Sequence, residues 1–118
     1  MSRKLARIRI VNLEEGMPTV DQARLRMHHE LQAARKDGYK AVKLIHGYGS
    51  SGAGGALRTE LQKDLRKAVE DGAIQAFIPG EDWRISDPGT WQLLKQFPEW
   101  KKDADLGRNN QGISIVVF

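Results

Sequence analysis

AVKLIHGYGSSGAGGALR, residues 41–58, is the stretch on which the fold turns. Its first five residues form a short, mostly apolar run of the kind found in a central strand. Five of the chain's 12 glycines follow within nine positions, at Gly47, Gly49, Gly52, Gly54 and Gly55. Beyond them Leu57, Leu61, Leu65, Ala68 and Val69 repeat at helical spacing, and Gly72 stands where a left-handed residue ends a helix. A strand that feeds a glycine-rich turn opening a helix is suited to hold an anion, because unpaired amides and the helix dipole both point at the turn. His46 at the strand end and Arg58 in the helix are the side chains placed to touch it, while Tyr48 in the turn can stack on a base or lean on the second helix.

The flanking sequence supplies the partners of this unit. Residues 5–13 (LARIRIVNL) alternate in the manner of a strand. Thr19-Val20-Asp21-Gln22 has the form in which a hydroxyl and an amide satisfy each other's backbone donors at a helix start. Val20, Ala23, Met27, Leu31 and Ala34 then step by three or four along one face, and Gly38 ends the run. Residues 73–78 (AIQAFI) and 113–118 (ISIVVF) read as two more strands. The order is βαβα followed by two strands, a mixed α/β class.

Residues 79–111 break the pattern. They are polar and turn-rich yet contain Trp83, Trp91 and Trp100, which are all the tryptophans, together with Phe97. Pro88 near its start and Pro98 beyond its end bracket a short helix. Buried aromatics are the simplest way to order so long a connection, so a satellite core is the favoured reading. A stacking platform, or a surface for a protein partner or self-association through Trp83, Trp91, Phe97 and Trp100, is the alternative.

A chain of 118 residues with no Cys suits one compact domain over residues 1–118, carrying an aromatic-rich insertion at about 81–110. Disulfide frameworks and Cys-ligated zinc are excluded, and no run of about 18 apolar residues exists, so a soluble, cytoplasmic protein without a membrane role is expected. The net charge of +4 is uneven: residues 1–59 carry 11 Lys and Arg against 5 Asp and Glu, residues 60–118 carry 8 against 10. The basic half suits a polyanion such as nucleic acid. Lys40, Lys43 and Arg58, with Arg7, Arg9, Arg24 and Arg26, give either a basic face near the turn or an ordinary solvated edge. His28-His29-Glu30 has no second His at helical spacing and reads as solvent-exposed rather than metal-binding.

Gly47-Tyr48-Gly49-Ser50-Ser51-Gly52 fits the dinucleotide fingerprint G-x-G-x-x-G, but it follows the second strand and no acidic residue closes a strand about 20 positions later. A phosphate loop of the Walker type fails because neither Gly52 nor Gly54 is followed by Lys and then Ser or Thr. A nucleotide-binding enzyme is therefore the least favoured function.

Residues 41–58 resemble the strand, His-Gly-x-Gly turn and Leu-Arg helix start of the small MutS-related (Smr) domain. The helix TVDQARLRMHHELQAARKDGYK and the closing QGISIVVF are similar to that family's first helix and last strand, so the resemblance spans roughly residues 7–80 and 111–118. It implies a two-layer sandwich, two helices on one face of a four-stranded mixed sheet, similar to the C-terminal domain of bacterial translation initiation factor three. It also implies binding of DNA or RNA, with nicking or cleavage in some members. The family motifs fall on His46, Gly47 and Gly49 and on Leu57 and Arg58. Tyr48, Ser50, Ser51, Gly52 and Lys43 complete the expected phosphate-binding set. The family's Leu-Asp-x-His-Gly is replaced here by Leu13-preceding Asn12, with Glu14 in the place of its His, and the turn from His46 to Arg58 is longer than the family's. Endonuclease chemistry then rests on His46 and Glu14, with no cofactor beyond a divalent metal if the chain cuts.

Overall fold

Each alternating segment becomes a strand and each periodic segment a helix. The computed structural model describes residues 7–48 and 53–118. Its elements run β1 (Ile8–Asn12), α1 (Val20–Lys36), β2 (Ala41–Ile45), α2 (Ala53–Glu70), β3 (Ala76–Pro79), α3 (Pro88–Gln96) and β4 (Ile113–Val117). Thr19 and Gln22 form the expected reciprocal cap at the start of α1. β3 begins three residues later than its apolar run, because Ala73 and Ile74 spend their amides on the Ala68 carbonyl to close α2.

The four strands make one sheet in the order β1-β2-β4-β3. β1 and β2 are parallel, and β4 runs antiparallel to both β2 and β3. The mixed sheet with α1 and α2 is the α/β architecture expected. It is not the parallel, doubly wound sheet of a dinucleotide-binding domain.

Strand parity assigns the side chains to two faces. Val11, Val42, Leu44 and Val116 point into a cluster with Ala23, Met27 and Ala34 of α1 and Leu57, Leu61 and Leu65 of α2. Ala41, Ile78, Ile113, Ile115 and Val117 point the other way and meet Trp83, Leu93, Leu94 and Trp100. Residues 79–111 therefore pack as a third layer on the face that the two-layer expectation left uncovered.

The aromatic residues divide accordingly. Trp83 and Trp100 are fully buried, Phe97 stacks on Trp100 with ring centroids 4.2 Å apart, and Trp91 alone of the four is exposed. The favoured satellite core forms. An interaction surface built from all four aromatics does not, since three of them are spent inside the protein.

Two close approaches hold this layer down. A Cβ on Gly80 would collide with the Asn110 carbonyl and stand 2.9 Å from that of Ile113, so the turn after β3 fits beneath residues 110–113 only as glycine. Asp87 caps α3 by accepting from the Thr90 amide at 2.9 Å, and the Thr90 hydroxyl donates to the Asp82 carbonyl at 2.7 Å.

Trp100→Ala should lower the unfolding free energy by about 3–5 kcal/mol, whereas Trp91→Ala should cost less than about 1 kcal/mol. Urea denaturation of the two variants measures this, and equal losses would contradict the assignment of faces.

Candidate functional site

The glycine loop leaves the carboxyl end of β2 and is fastened at its first residues. The His46 and Gly47 amides both donate to the Gly112 carbonyl, at 2.9 and 3.0 Å. The His46 ring is completely buried. Its Nδ1 lies 2.6 Å from the Gly47 carbonyl and its Nε2 lies 2.8 Å from Ser114 Oγ. A carbonyl only accepts, so Nδ1 carries the proton and donates. In the neutral ring Nε2 then accepts from the Ser114 hydroxyl, which itself accepts from Gln62 Nε2 at 3.3 Å. Burial lowers the His46 pKa below the ordinary imidazole value, with the nearby Arg58 charge adding to the effect and the Gly47 carbonyl and Glu81 opposing it.

His46 is thus a neutral strut. It ties β2, β4 and α2 together under the loop, and neither ring nitrogen is left to accept a proton from a substrate. Its expected catalytic place is not supported by this geometry, because solvent and both hydrogen-bonding positions are closed off.

Glu14 does reach the loop. Gly47 has φ +75, and a Cβ there would stand 3.0 Å from the Glu14 carboxyl, so glycine is needed both for the backbone and for the approach of this side chain. Asn12 Oδ1 accepts from the Glu14 amide at 2.9 Å and shapes the end of β1. Glu14 is exposed. Arg58, on the first turns of α2, donates to Glu81 Oε1 at 2.8 Å, while its Nε and Glu81 Oε2 are sealed from solvent without a partner.

Lys43 is placed elsewhere. It alternates to the sheet face covered by residues 79–111, where it is 4% exposed and donates to Asp103 Oδ1 at 2.9 Å and Asp105 Oδ2 at 2.6 Å. Its assignment to phosphate binding is corrected: the ammonium is consumed by two carboxylates. The wider basic face is also partly neutralised, since Arg9 pairs with Glu30, and Arg24 with Asp21, Glu60 and Asp64. Gly49, Ser50, Ser51 and Gly52 lie outside the described residues. Tyr48 is exposed.

Sequence reasoning missed the residues that face Tyr48. A cleft of about 510 Å³ is lined by Tyr48, Asp105, Arg108, Asn109, Asn110 and Gln111. The signal was the polar run Arg108-Asn109-Asn110-Gln111 immediately before the last strand, passed over as part of a turn. Among the described residues no three His, Cys, Asp or Glu side chains converge as a metal site. No helix among them is long and apolar enough to cross a membrane.

The fold and this loop define a small mixed-sheet α/β domain with a glycine turn between a strand and the second sheet-covering helix. The profile of the Smr domain matches residues 15–84, more than half of the chain, and the chain belongs to that family. Smr domains as a group are nucleic-acid-binding, with a nuclease-like fold. Among solved structures, the crystal structure of the Smr domain of Thermus thermophilus MutS2 superposes with a TM-score of 0.56 at 24% identity, covering 93% of this chain and 96% of that one, and so shares the fold. No curated protein sequence matches the chain.

The buried neutral His46 makes a pH prediction. An unfolded chain takes up a proton at this imidazole below about pH 6.5, and the folded chain with its lowered pKa does not. The contribution is complete above the ordinary imidazole value and is lost as pH falls below it toward the folded value. Urea midpoints should therefore drop between about pH 8 and about pH 5, and His46→Gln should flatten that drop. The drop should survive substitution of the exposed His28 and His29. A His46→Gln profile parallel to wild type would refute the buried neutral state.

Proposed function

We propose that this chain binds nucleic acid at the glycine loop, with a backbone phosphate set against the start of α2 and Arg58. The observation that carries the reading is the anchorage of the loop's first residues: His46 and Gly47 are fixed to Gly112 and Ser114 at the carboxyl ends of the parallel strands β1 and β2. Ligands of open α/β sheets bind outside the carboxyl ends of their strands. The first turn of α2 carries no acidic side chain to compete for its amides. In this reading His46 is a positioning residue, and Gly49, Ser50, Ser51 and Gly52 belong to the binding set.

Arg58 begins with Glu81 as its partner, and the unfilled Arg58 Nε and Glu81 Oε2 make that pair an incomplete one. A phosphate offers Arg58 a fuller, forked set of acceptors.

A second reading, hydrolysis of the bound strand, is favoured by one observation. Glu14 keeps an exposed carboxylate beside Gly47, although Asn12 and the enclosed His46 lack free groups for acid–base work. A nicking and RNA-cleavage assay with and without divalent metal, run beside Glu14→Gln, decides whether it adds to binding.

Binding affinity should fall linearly with salt on logarithmic axes, and Arg58→Ala should reduce the slope by roughly one. Glu81→Gln should raise affinity by releasing Arg58. Fluorescence anisotropy over a salt series measures all three, and binding that ignores salt would overturn the phosphate grip.

A further inference from the structure

The turn between the aromatic layer and β4 builds a wall beside the glycine loop. Asn110 sets that turn: its Nδ2 donates to Asp105 Oδ1 at 3.0 Å, and its Oδ1 accepts from the Gly112 amide at 2.9 Å. Asn109 adopts the left-handed conformation at φ 55, and the exposed Arg108, Asn109 and Gln111 follow one another along the rim. Across from them stands Tyr48, 59% exposed. A Cβ on Gly112 would lie 3.4 Å from both Tyr48 Cδ1 and the Gly47 Cα, so the ring stands directly against glycine backbone.

The wall and the ring enclose the cleft of about 510 Å³. Its chemistry is specific. One aromatic ring is presented to solvent, two side-chain amides at Asn109 and Gln111 can both donate and accept, and the Arg108 guanidinium makes no ion pair among the described residues. The one acid in the lining, Asp105, has both carboxylate oxygens occupied by Lys43 and Asn110, which holds its pKa below the ordinary carboxylate value, the Asn110 hydrogen bond contributing most. Its charge is therefore answered from within the protein.

A planar ligand with hydrogen-bonding edges and an attached phosphate matches this set. We propose that the cleft is a subsite for one unpaired nucleotide of single-stranded DNA or RNA, its base stacked on Tyr48, its edge read by Asn109 and Gln111 and its phosphate held by Arg108. The proposal rests on the nucleic-acid reading given above and adds a preference to it. A base inside a duplex is covered on both faces by its neighbours and presents no face to Tyr48. A splayed or single-stranded base does.

The test titrates the full chain against a labelled DNA oligonucleotide, the RNA of the same sequence and the corresponding blunt DNA duplex. One or both single strands should bind about tenfold more tightly than the duplex, the scale of one base stacked on an aromatic ring. The DNA and RNA arms identify which polymer supplies the base. Tyr48→Ala should abolish the preference, and Tyr48→Phe should keep it. Arg108→Ala should lower the salt slope on the preferred single strand by roughly one. Equal affinity of wild type for single strand and duplex, or a preference that survives Tyr48→Ala, overturns the subsite and leaves the phosphate grip standing. Binding of neither polymer overturns both.

Discussion

The ammonium of Lys43 lies in the middle of β2 under the aromatic layer, 4% exposed, and the second half of the chain is arranged around its neutralisation. Burial alone would lower its pKa, but hydrogen bonds to Asp105 and Asp103 outweigh that and hold it above the ordinary lysine value. A buried charge without a partner costs about 3–5 kcal/mol, so the two acids are required wherever Lys43 is enclosed. Every oxygen of the pair is used. Asp103 Oδ1 and Asp105 Oδ2 accept from Lys43, Asp103 Oδ2 accepts from the Trp83 indole and the Asp105 amide, and Asp105 Oδ1 accepts from Asn110. Such a fully satisfied network favours one arrangement of the layer over slipped alternatives.

The network does not stop at the aromatic layer. Asn110 passes from Asp105 to the Gly112 amide, and the Gly112 carbonyl receives the His46 and Gly47 amides at the root of the glycine loop. On the opposite side of β4, Ser114 and Gln62 hold the His46 ring from the helical layer. The root of the loop, His46 and Gly47, is thus gripped from both faces of the sheet. Tyr48 and Glu14 are left exposed beside that root.

Much of this was legible in the sequence. Alternation located β1, 3.6-residue spacing located α1 and α2, short apolar runs marked the other strands, and Pro88 and Pro98 bracketed α3. The apolar residues on both parities of ISIVVF fit a strand buried on both faces, a signal that the two-layer expectation did not use. Lys43 misled because a lysine beside a glycine loop suggests a phosphate ligand. Its one-residue step in parity from Val42 and Leu44 turns it to the other face, and its partners Asp103 and Asp105 lie 60 and 62 residues away in an irregular turn. His46 misled for a related reason: its motif position is compatible with chemistry or with anchoring, and only the placement of Ser114 and Gln62 distinguishes them. The family profile begins at residue 15 and ends at residue 84, so Asn12, Glu14 and the network residues Asp103, Asp105 and Asn110 fall outside it, while Lys43 and Trp83 lie within it.

The buried charge and the root of the loop are joined through Asp105, Asn110 and Gly112. A double-mutant cycle on unfolding free energy, pairing Lys43→Met with Asn110→Ala, addresses this continuity directly, because the two side chains never touch and share Asp105. A coupling of about 1 kcal/mol or more is expected; losses that add to within about 0.5 kcal/mol would contradict that continuity.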